Sequence, residues 1–523
     1  MHRAKTGGTL LRRAVTGAAI VVVAVAAVLA SVLWSQERGG PPHRDVTLPG
    51  GVPATFYLPG TEDGAPAPVV VMGHGYSGDR TTMSSLARSL AEAGYAVVAI
   101  DFRGHGANDN GTSAPGDRAD DLAAAVDWAE DAPEVDGARI GVLGHSMGAR
   151  AALDLAARDP RVTATIVLGS GHRPPVSSGR PRNVLFLVAE GDPRSIHDAS
   201  SGFARDLAGV AVADGQTARA SDGTAVRMRV VRGTDHIRIL WTDQAVAETV
   251  AWLDGVFGLG RAETAQLVDP RLVSAAAYLL CCLALLGALG WFAGGLAPPS
   301  PSDVPGGWRG PAAVALSLVA AAPAPTLISP PPFLSPGFGE VVVHLTSAGS
   351  LLTLLVVFGS RPGTRLSEKW TGAPPALWPS VAHTSVIAGA AIALALVLFA
   401  PLGSVFHRLV PTPDRLLVGV QTGALLLPFF VPFQTILRHD RPAGALANSL
   451  AGHSLVLAAL ASGVLAGTLP GIVALALPLL LGVFVLVEIF GTPAYARGRS
   501  GLFVGFVETL CVAGIVAVTM PLT

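Results

Sequence analysis

The stretch RIGVLGHSMGARAALDLAAR, residues 139–158, decides the fold of this chain. The run from Arg139 to Leu143 predicts a buried strand, and Ala151 to Arg158 predicts a helix. Between them, Gly144-His145-Ser146-Met147-Gly148 has the pattern G-x-S-x-G. A serine on so sharp a strand-to-helix turn takes a strained backbone conformation, which requires neighbours without bulk two residues away. Gly144 and Gly148 meet that need, so the pattern predicts a nucleophilic hydroxyl on Ser146.

The same turn suits the stabilisation of an oxyanion. The amide after the serine and the positive end of the new helix both face the place where an oxyanion would form. The pentapeptide alone is a weak signal in a chain with 61 glycines, and a glycine-rich turn is the alternative interpretation. The residues that would act together with the serine therefore distinguish a nucleophilic serine from a glycine-rich turn.

The composition indicates a membrane protein with one water-facing part. The chain has 523 residues, a mean hydropathy of +0.51 and only 14% charged residues, which is too apolar for a protein that is soluble throughout. Most of its 37 acidic residues lie between Asp45 and Asp254, where arginines are fewer and lysine is absent. This segment is predicted to be an acidic, water-facing domain, and its charge argues against nucleic acid as a partner.

An apolar run over 14–34 follows the basic residues Arg3, Lys5, Arg12 and Arg13. Its length is close to the twenty or so residues that cross the hydrocarbon of a bilayer. A cleaved signal peptide has a similar start but a shorter apolar core, so we interpret the run as an uncleaved signal anchor, with cleavage as the alternative. Residues 1–13 then stay in the cytoplasm, and the domain predicted over 45–258 lies outside.

Eight more apolar stretches predict a membrane domain over 272–523. They lie near 272–296, 311–335, 341–360, 381–403, 416–437, 447–469, 471–491 and 502–522. With nine spans in all, the basic loops near Arg361, Arg438 and Arg497 face the cytoplasm, while the loop with Arg408 and Arg415 falls outside as the one exception. Six prolines between Pro323 and Pro336 predict a broken or re-entrant helix.

The cysteines of the chain are Cys281, Cys282 and Cys511, and each falls inside a predicted span. The outer domain therefore has no disulfide to form and depends on a large hydrophobic core for its stability. The sequence shows no metal-ligand spacing, so neither a metal nor a cofactor is predicted.

Between Asp45 and Phe257, short β-rich runs alternate with helix-length segments. An opening hairpin is predicted from Val46 to Tyr57, across Pro-Gly-Gly. Apolar strands are predicted at Val69 to Met72, Tyr95 to Ile100, Ile140 to Leu143, Val162 to Leu168, Val184 to Val188 and Met228 to Val231. Such continuous apolar runs are typical of a parallel sheet covered on both faces, so we predict an α/β fold followed by an all-α membrane domain.

The order of these elements and three motifs resemble the α/β-hydrolase superfamily. His74-Gly75-Tyr76 follows the first apolar strand and resembles the oxyanion loop of that family. The run Asp101-Phe102-Arg103-Gly104-His105-Gly106 resembles a turn common in its dienelactone-hydrolase, serine-aminopeptidase and monoglyceride-lipase branches. Gly-His-Ser-Met-Gly is the spelling found in many of its esterases, lipases and thioesterases. The resemblance covers about 210 residues and does not extend to the helical half.

The resemblance implies a Ser-His-Asp triad in the chain order serine, acid, histidine. A serine hydroxyl is a poor nucleophile near neutral pH, so a histidine must take its proton and a carboxylate must orient that histidine. Ala189-Glu190-Gly191-Asp192-Pro193 follows a strand in the position of the acid loop, which gives Asp192 that role. Gly233-Thr234-Asp235-His236 follows the next strand, which gives His236 the role of base.

Other residues remain as alternatives for these roles. Asp235 and Glu190 are candidate acids, although Asp235 adjoins the histidine and neighbouring side chains usually point apart. The family pattern assigns the oxyanion hole to the backbone amides of Tyr76 and Met147. The ring of Tyr76 shapes an acyl pocket or simply packs. The remaining histidines of the motif turns, with Asp101 and Arg103, are expected to bond the backbone in structural corners, and the short connection over 169–183 leaves room for a minimal cap only.

Ionisable residues also lie within the predicted spans, where they are costly and by default mark a functional site that faces inward. They are Glu340, His344, His383, His453, Glu488 and Glu508. Their alternatives are an interfacial position and a paired contact between helices, such as Glu488 with Glu508 or a histidine. These residues leave open the alternative that the chain is a transporter or lipid-handling protein whose outer domain is a binding module.

The sequence as a whole predicts a multi-pass protein of the cell membrane with an extracytoplasmic serine hydrolase of the esterase or lipase type. Ser146 would attack an ester or related acyl bond, and water activated by His236 would release the acyl-enzyme. A lipid-like acyl ester in or near the membrane is the predicted partner. Acyl transfer to another acceptor uses the same triad and is the further alternative, while the natural substrate, the oligomeric state and the role of the helical half are left open.

Overall fold

The computed structural model describes residues 2–59, 65–111, 117–175, 180–261, 265–299, 309–359, 377–439 and 441–523. The chain divides into two compact units. The α/β unit consists of Val32–Ala275, Pro401–Arg408 and Thr519–Thr523. The helical unit consists of Met1–Ser31, Ala276–Ala400 and Leu409–Val518. The α/β unit therefore includes two short segments that the sequence assigns to the membrane domain.

The α/β unit contains a nine-stranded sheet. Its strands are β1 (His43–Leu48), β2 (Val52–Tyr57), β3 (Ala67–Gly73), β4 (Ala96–Ile100), β5 (Val135–His145), β6 (Val162–Leu168), β7 (Val184–Ala189), β8 (Thr217–Arg219) and β9 (Ala225–Val231). Their spatial order is β1-β2-β4-β3-β5-β6-β7-β9-β8. The six strands from β4 to β9 in this order are parallel, while β1, β2 and β8 add antiparallel pairs at the two edges.

Helices cover both faces of the sheet. They are α2 (Ser84–Glu92), α3 (Asp117–Glu130), α4 (Met147–Arg158), α5 (Arg194–Ala208) and α6 (Asp243–Phe257). Val70 and Met72 of β3 pack in one core with α2 and α6, whereas Val69 and Val71 pack in the other with α3 and α4. Successive side chains of a strand point to opposite faces, so a strand buried on both sides must be apolar at every position. The predicted α/β fold with a mostly parallel sheet is confirmed.

Two local features refine the predicted strands. The opening hairpin forms as expected, and its turn over Pro49–Gly51 has positive φ angles at Gly50 and Gly51, of 74° and 76°. The edge strand β8 was missed by the sequence analysis. It has three residues, Thr217–Arg219, with an exposed and polar pattern, because an edge strand packs little of its surface and carries no run of apolar residues.

The remaining helices are apolar. They are α1 (His2–Gly39), α7 (Arg271–Gly294), α8 (Arg309–Ala321), α9 (Ala324–Leu327), α10 (Phe338–Gly359), α11 (Leu377–Phe399), α12 (Pro413–Leu437), α13 (Pro442–Leu465), α14 (Ile472–Gly498) and α15 (Gly501–Thr519). Among the described residues, eight helical stretches are long and apolar enough to cross a membrane, and Phe338–Leu354 is a shorter apolar helix. Apolar helices thus occupy all nine stretches that the sequence singles out.

The proline-rich region breaks the helix, as predicted. Helix α8 ends at Ala321, the single turn α9 follows, and no helix resumes until Phe338. A proline lacks the amide hydrogen that a helix interior needs, and its ring clashes with the preceding turn. The predicted span over 311–335 is therefore not one regular helix, because its helical part ends with α9 at Leu327.

Candidate active site

The turn between β5 and α4 holds Ser146 in a strained conformation. Ser146 has φ 52° and ψ −108°, and α4 begins at the next residue. A Cβ on Gly144 would lie 2.1 Å from the carbonyl oxygen of Gly148, and a Cβ on Gly148 would lie 2.2 Å from that of Gly73. Only glycine permits such close backbone contacts, which is the reason for both glycines of the G-x-S-x-G pattern. Such strain at a non-glycine residue is typical of functional positions.

Asp192 and His236 are joined by a short hydrogen bond. Nδ1 of His236 lies 2.5 Å from Oδ1 of Asp192. Oδ2 of Asp192 accepts a hydrogen bond of 2.8 Å from the amide of Ala189, so both carboxylate oxygens are held. The Asp192 side chain is fully buried and that of His236 is 11% exposed. A carboxylate accepts hydrogen bonds, so Nδ1 carries the proton of this bond, and Nε2 is the ring nitrogen that lies on the other side of the imidazole.

Ser146 and His236 both adjoin the end of β6. The amide of Ser146 donates to the carbonyl oxygen of Leu168 at 2.8 Å. A Cβ on Gly169 would lie 3.0 Å from Nδ1 and Cε1 of His236. Within the described parts of the chain, no hydrogen bond joins the Ser146 hydroxyl to the imidazole. Such bonds are often long in unliganded hydrolases and shorten when substrate binds.

The alternative acids have other partners. Oδ1 of Asp235 accepts from the amides of Ile237 and Arg238, at 3.0 and 2.9 Å. Glu190 accepts from the amide of Gly233 at 2.9 Å. Both carboxylates therefore stabilise the loop that carries His236, while Asp192 contacts the imidazole itself.

The residues predicted to form the oxyanion hole lie on two turns at the same ends of the strands. Met147 is the first residue of α4, and the first amides of a helix lack a partner within the helix. Tyr76 follows β3, and its carbonyl oxygen accepts a hydrogen bond of 2.8 Å from Nε2 of His105. His74, which is fully buried, bonds Gly75 O through Nδ1 at 2.8 Å and accepts from the Phe102 amide at 3.1 Å. These two histidines contact the backbone, as expected.

The turn that begins at Asp101 is a structural corner, also as expected. The carboxylate of Asp101 accepts from the amide and the guanidinium of Arg80, at 2.7 and 2.6 Å, and from the amide of Ala107 at 2.8 Å. Arg103 pairs with Asp121 at 2.7 Å. A Cβ on Gly106, where φ is 55°, would lie 2.4 Å from the Asp101 carboxylate. The glycine thus lets the chain turn around the buried carboxylate.

His145 contacts the loop of His236. Its Nε2 lies 2.8 Å from the carbonyl oxygen of His236, and the two rings are 4.9 Å apart. Burial lowers the pKa of His145 to about 4, so its imidazole is neutral near pH 7 and donates its single Nε2 proton to that carbonyl. His145 is therefore a positioning residue for the loop of His236.

This contact predicts a difference in acid stability. The unfolded chain protonates His145 below about pH 6.5 and the folded protein only below about pH 4. Stability from this group is complete above pH 6.5 and is lost as the pH falls toward 4, by about 2 kcal/mol at pH 5. In the variant His145→Gln, which still donates a hydrogen bond but does not titrate, we expect a smaller fall in Tm between pH 7 and pH 5. Equal falls in variant and wild type would contradict this role.

A segment remote in sequence, Pro401–Arg408, packs beside the site within the α/β unit. Nε2 of His407 lies 3.0 Å from the carbonyl oxygen of Ser77, and the amide of Arg408 donates to Oδ2 of Asp79 at 2.7 Å. Oδ1 of the buried Asp79 accepts from the amides of Thr81 and Thr82, at 2.9 and 3.1 Å. This segment, called the 401–408 segment below, thus holds the loop that carries Tyr76.

The 401–408 segment also contacts the loop beyond His236. The ring of Phe406 packs edge-on against Trp241, with centroids 6.1 Å apart. Arg271 donates to the carbonyl oxygen of Ser404 at 3.2 Å. Sequence analysis missed these contacts. The only signal in the sequence was the loop with Arg408, which the count of nine spans places on the same side of the membrane as the outer domain, without indicating a partner.

The comparisons with known proteins each cover part of the chain. Residues 64–200 match the family model described as serine aminopeptidase, S33. An uncharacterized protein of Mycobacterium tuberculosis is 35% identical over 175 residues, which cover 29% of this chain and 61% of that protein. Cutinase est1 of Thermobifida alba is 31% identical over 138 residues, which cover 25% of this chain and 44% of the cutinase. The chain thus spans less than two thirds of the length of either relative.

Solved structures are similar to part of the chain as well. A membrane phospholipase A described as a bacterial virulence factor is 18% identical, with a TM-score of 0.33, over 49% of this chain and 99% of its own. A hypothetical protein of Pseudomonas aeruginosa is 17% identical, with a TM-score of 0.33, over 42% of this chain and 94% of its own. In its strand order, its serine turn after β5 and its match to the S33 family model over residues 64–200, the α/β unit of this chain has the fold of the α/β hydrolases.

Proposed function

We propose that this chain is a membrane-anchored serine hydrolase that cleaves ester or related acyl bonds on the outer side of the cytoplasmic membrane. One observation carries the proposal: the buried carboxylate of Asp192 bonds Nδ1 of His236 beside the strained turn of Ser146. The three residues follow the chain order serine, acid, histidine of α/β hydrolases. An imidazole that a carboxylate orients next to a serine turn is the arrangement that nucleophilic catalysis requires.

In the proposed reaction, Nε2 of His236 takes the proton from Oγ of Ser146 as that oxygen attacks the acyl carbon. The negative charge then develops on the former carbonyl oxygen, where the amides of Tyr76 and Met147 would donate hydrogen bonds. The bond to the leaving alcohol breaks as His236 returns the proton to it. Water then attacks the acyl-enzyme, with His236 as base, and the carboxylic acid leaves with Ser146 restored.

Asp192 would act through the imidazole. Its bond to Nδ1 fixes the tautomer in which Nε2 faces away from the carboxylate, and its charge stabilises the imidazolium that forms during each proton transfer. Full burial strengthens that interaction, because water cannot screen it.

The membrane location is supported by the surfaces of the apolar helices. Large apolar side chains on these helices, such as Val273, Phe292 and Val397, are 77, 68 and 72% exposed. A bilayer would cover such surfaces, which are otherwise costly in water. The same proposal includes that the predicted anchor over 14–34 is not cleaved and that residues 1–13 before it lie in the cytoplasm.

The orientation has further support in the two short segments of the α/β unit. Counted from a cytoplasmic N-terminus, nine spans put both 401–408 and 519–523 on the side of the outer domain, although the arginines of the first loop are an exception to the charge rule. Both are found in the α/β unit, where the amide of Leu522 donates to Gly104 O at 2.8 Å. Arg415, which seemed an exception to that rule, is buried and donates to Ala517 O at 2.9 Å, so its side chain is used inside the helical unit.

The substrate class is best tested on the full chain in nanodiscs, since the 401–408 segment would be lost from an excised domain. Acyl esters of graded chain length and aminoacyl amides are the two sets to compare, because one relative is named a cutinase and the family model a serine aminopeptidase. We expect turnover of esters and labelling of the wild type by a fluorophosphonate. Folded protein that neither reacts with the probe nor turns over either set would instead favour the binding-module alternative.

The 401–408 segment gives a separate prediction. Oxyanion donors must be held within about 0.5 Å of their productive positions, and His407 holds the loop that carries the Tyr76 amide. In His407→Ala, we expect kcat/KM to fall about tenfold, equivalent to roughly 1.4 kcal/mol of lost positioning. The matched control is Val410→Ala, at an exposed position just beyond the segment. Equal kcat/KM for His407→Ala and the control would show that the segment does not position the site.

A further inference from the structure

A closed ring of polar side chains lies inside the helical unit. It consists of Gln434 and Arg438 at the end of α12, His453 of α13, Glu488 of α14 and Glu508 of α15. We call this set the polar ring. The sequence left two interpretations open for its ionisable members, a functional site or a paired contact between helices.

Each member of the polar ring contacts the next. Glu508 accepts from Gln434 at 2.6 Å, and Gln434 accepts from Nε of Arg438 at 2.6 Å. Arg438 donates to Glu488 at 2.7 Å, and Oε1 of Glu488 lies 3.5 Å from Nδ1 of His453. Nε2 of His453 lies 2.8 Å from Oε1 of Glu508, which closes the ring.

The polar ring is withdrawn from solvent. The side chains of Arg438 and Glu508 are 0% exposed, that of His453 is 5% and that of Glu488 is 9%. The imidazole of His453 is stacked on Phe484, with centroids 4.2 Å apart. Hydroxyls of Ser449 and Thr492 complete the surroundings of Glu488, at 2.6 and 2.8 Å. Helix α8, which also packs on α13, carries Arg309 at its first residue as its one titratable group.

The charges of the polar ring do not balance with a neutral histidine. Glu488 and Glu508 are two anions, and Arg438 is one cation. One negative charge would then remain in apolar surroundings, which is far more costly than a neutral set. A second proton on the imidazole of His453 removes the imbalance, and a proton on Nε2 donates to Glu508 across the 2.8 Å distance.

The ring also has unused hydrogen-bonding capacity. Among the described residues, Nδ1 of His453 and Nη1 of Arg438 are buried without a hydrogen-bond partner. Nδ1 of His453 faces Glu488 at 3.5 Å, so a small movement of the imidazole brings a protonated Nδ1 within bonding distance of that carboxylate. The two carboxylates thus flank one imidazole, Glu508 at Nε2 and Glu488 at Nδ1.

We propose that the polar ring is a binding site for one exchangeable proton, held on His453 between Glu508 and Glu488. His453 is the twelfth residue of α13, and Glu488 lies ten residues before the last residue of α14. The site is therefore about 15 Å along the helix axis from the first residue of α13 and from the last residue of α14. Arg441 precedes the first residue of α13 and Arg497 lies in the last turn of α14, and the charge rule assigns these two helix ends to the cytoplasm. The proton would therefore exchange with the cytoplasmic side. This inference is independent of the proposed hydrolase.

Isotope-edited NMR of imidazole nitrogens tests the proposal on the full chain in nanodiscs, with His453→Gln to assign the signal. At pH 7.5 we expect both nitrogens of His453 to carry protons in the wild type. In Glu508→Gln, the remaining charges of Arg438 and Glu488 cancel, so the histidine should become neutral at the same pH. A neutral His453 in the wild type would overturn the proposal and leave a polar contact between helices.

A rescue experiment gives a second readout by thermal unfolding. His453→Gln leaves one uncompensated negative charge, so its Tm should fall by several degrees. The double variant His453→Gln, Glu508→Gln is neutral, and its Tm should recover most of that loss. Absence of any recovery would contradict the charge argument. A Tm of the wild type that rises with sodium at constant ionic strength would also overturn it, by showing that a metal cation and not a proton fills the site.

Discussion

Replacement of Ser146 by alanine is expected to abolish ester hydrolysis by the full chain and its labelling by a fluorophosphonate. Loss of the nucleophile in a Ser-His-Asp triad lowers kcat by up to roughly 10⁶-fold. Steady-state kinetics on the best ester of the substrate screen measures this effect. Retention of labelling in Ser146→Ala would place the nucleophile elsewhere.

The same position predicts an unusual gain in stability. Ser146 has φ 52° and ψ −108°, a conformation that costs an L-residue about 1–3 kcal/mol but costs glycine little. Ser146→Gly should therefore be as inactive as Ser146→Ala but have the higher Tm of the two. The paired variants separate loss of chemistry from loss of fold, since both lack the hydroxyl. A Tm of Ser146→Gly below that of Ser146→Ala would show that the turn is not strained.

Asp192→Asn is expected to give the second largest effect, a fall in kcat of about 10⁴-fold with little change in Tm. The amide of asparagine keeps the shape of the carboxylate but removes its charge, and it favours the tautomer of His236 whose proton lies on Nε2. That tautomer cannot take the proton of the serine. The reaction measured at several pH values gives kcat for the variant and the wild type.

Matched controls for Asp192→Asn are the other acidic residues of the two loops. Glu190→Gln and Asp235→Asn change the same charge within the loops of Asp192 and His236, but their carboxylates bond backbone amides. We expect each control to retain kcat within about tenfold, as loss of one loop hydrogen bond costs roughly 1 kcal/mol. A larger loss in Asp235→Asn than in Asp192→Asn would reassign the acid.

Predictions that rest on local sequence patterns differ in their physical basis from predictions of contacts between distant residues. The strands, the serine turn and the apolar helices follow from local patterns, because a buried strand needs apolar residues at every position and a sharp turn needs glycine. The confirmed fold and the break between Pro323 and Pro336 belong to this class. The short strand β8 escaped because it is exposed and buries too little surface to leave a pattern.

Contacts between distant residues belong to the other class. Asp192, Asp235 and Glu190 have the same chemistry in the sequence, and only the packing of β7 against β9 brings Asp192 to the imidazole of His236. The catalytic roles of these residues, and of the amides of Tyr76 and Met147, stay predictions until the variants are measured.

By itself, the sequence determined that this protein combines an α/β-hydrolase fold with apolar helices, because the periodicity of hydrophobic residues and a few glycines specify both. Only the tertiary structure decided that His407 reaches the loop of Tyr76 from more than 300 residues away. It alone also closed the polar ring around His453 from four helices. Such contacts depend on how complete elements pack, and no local pattern of residues specifies which buried charges meet.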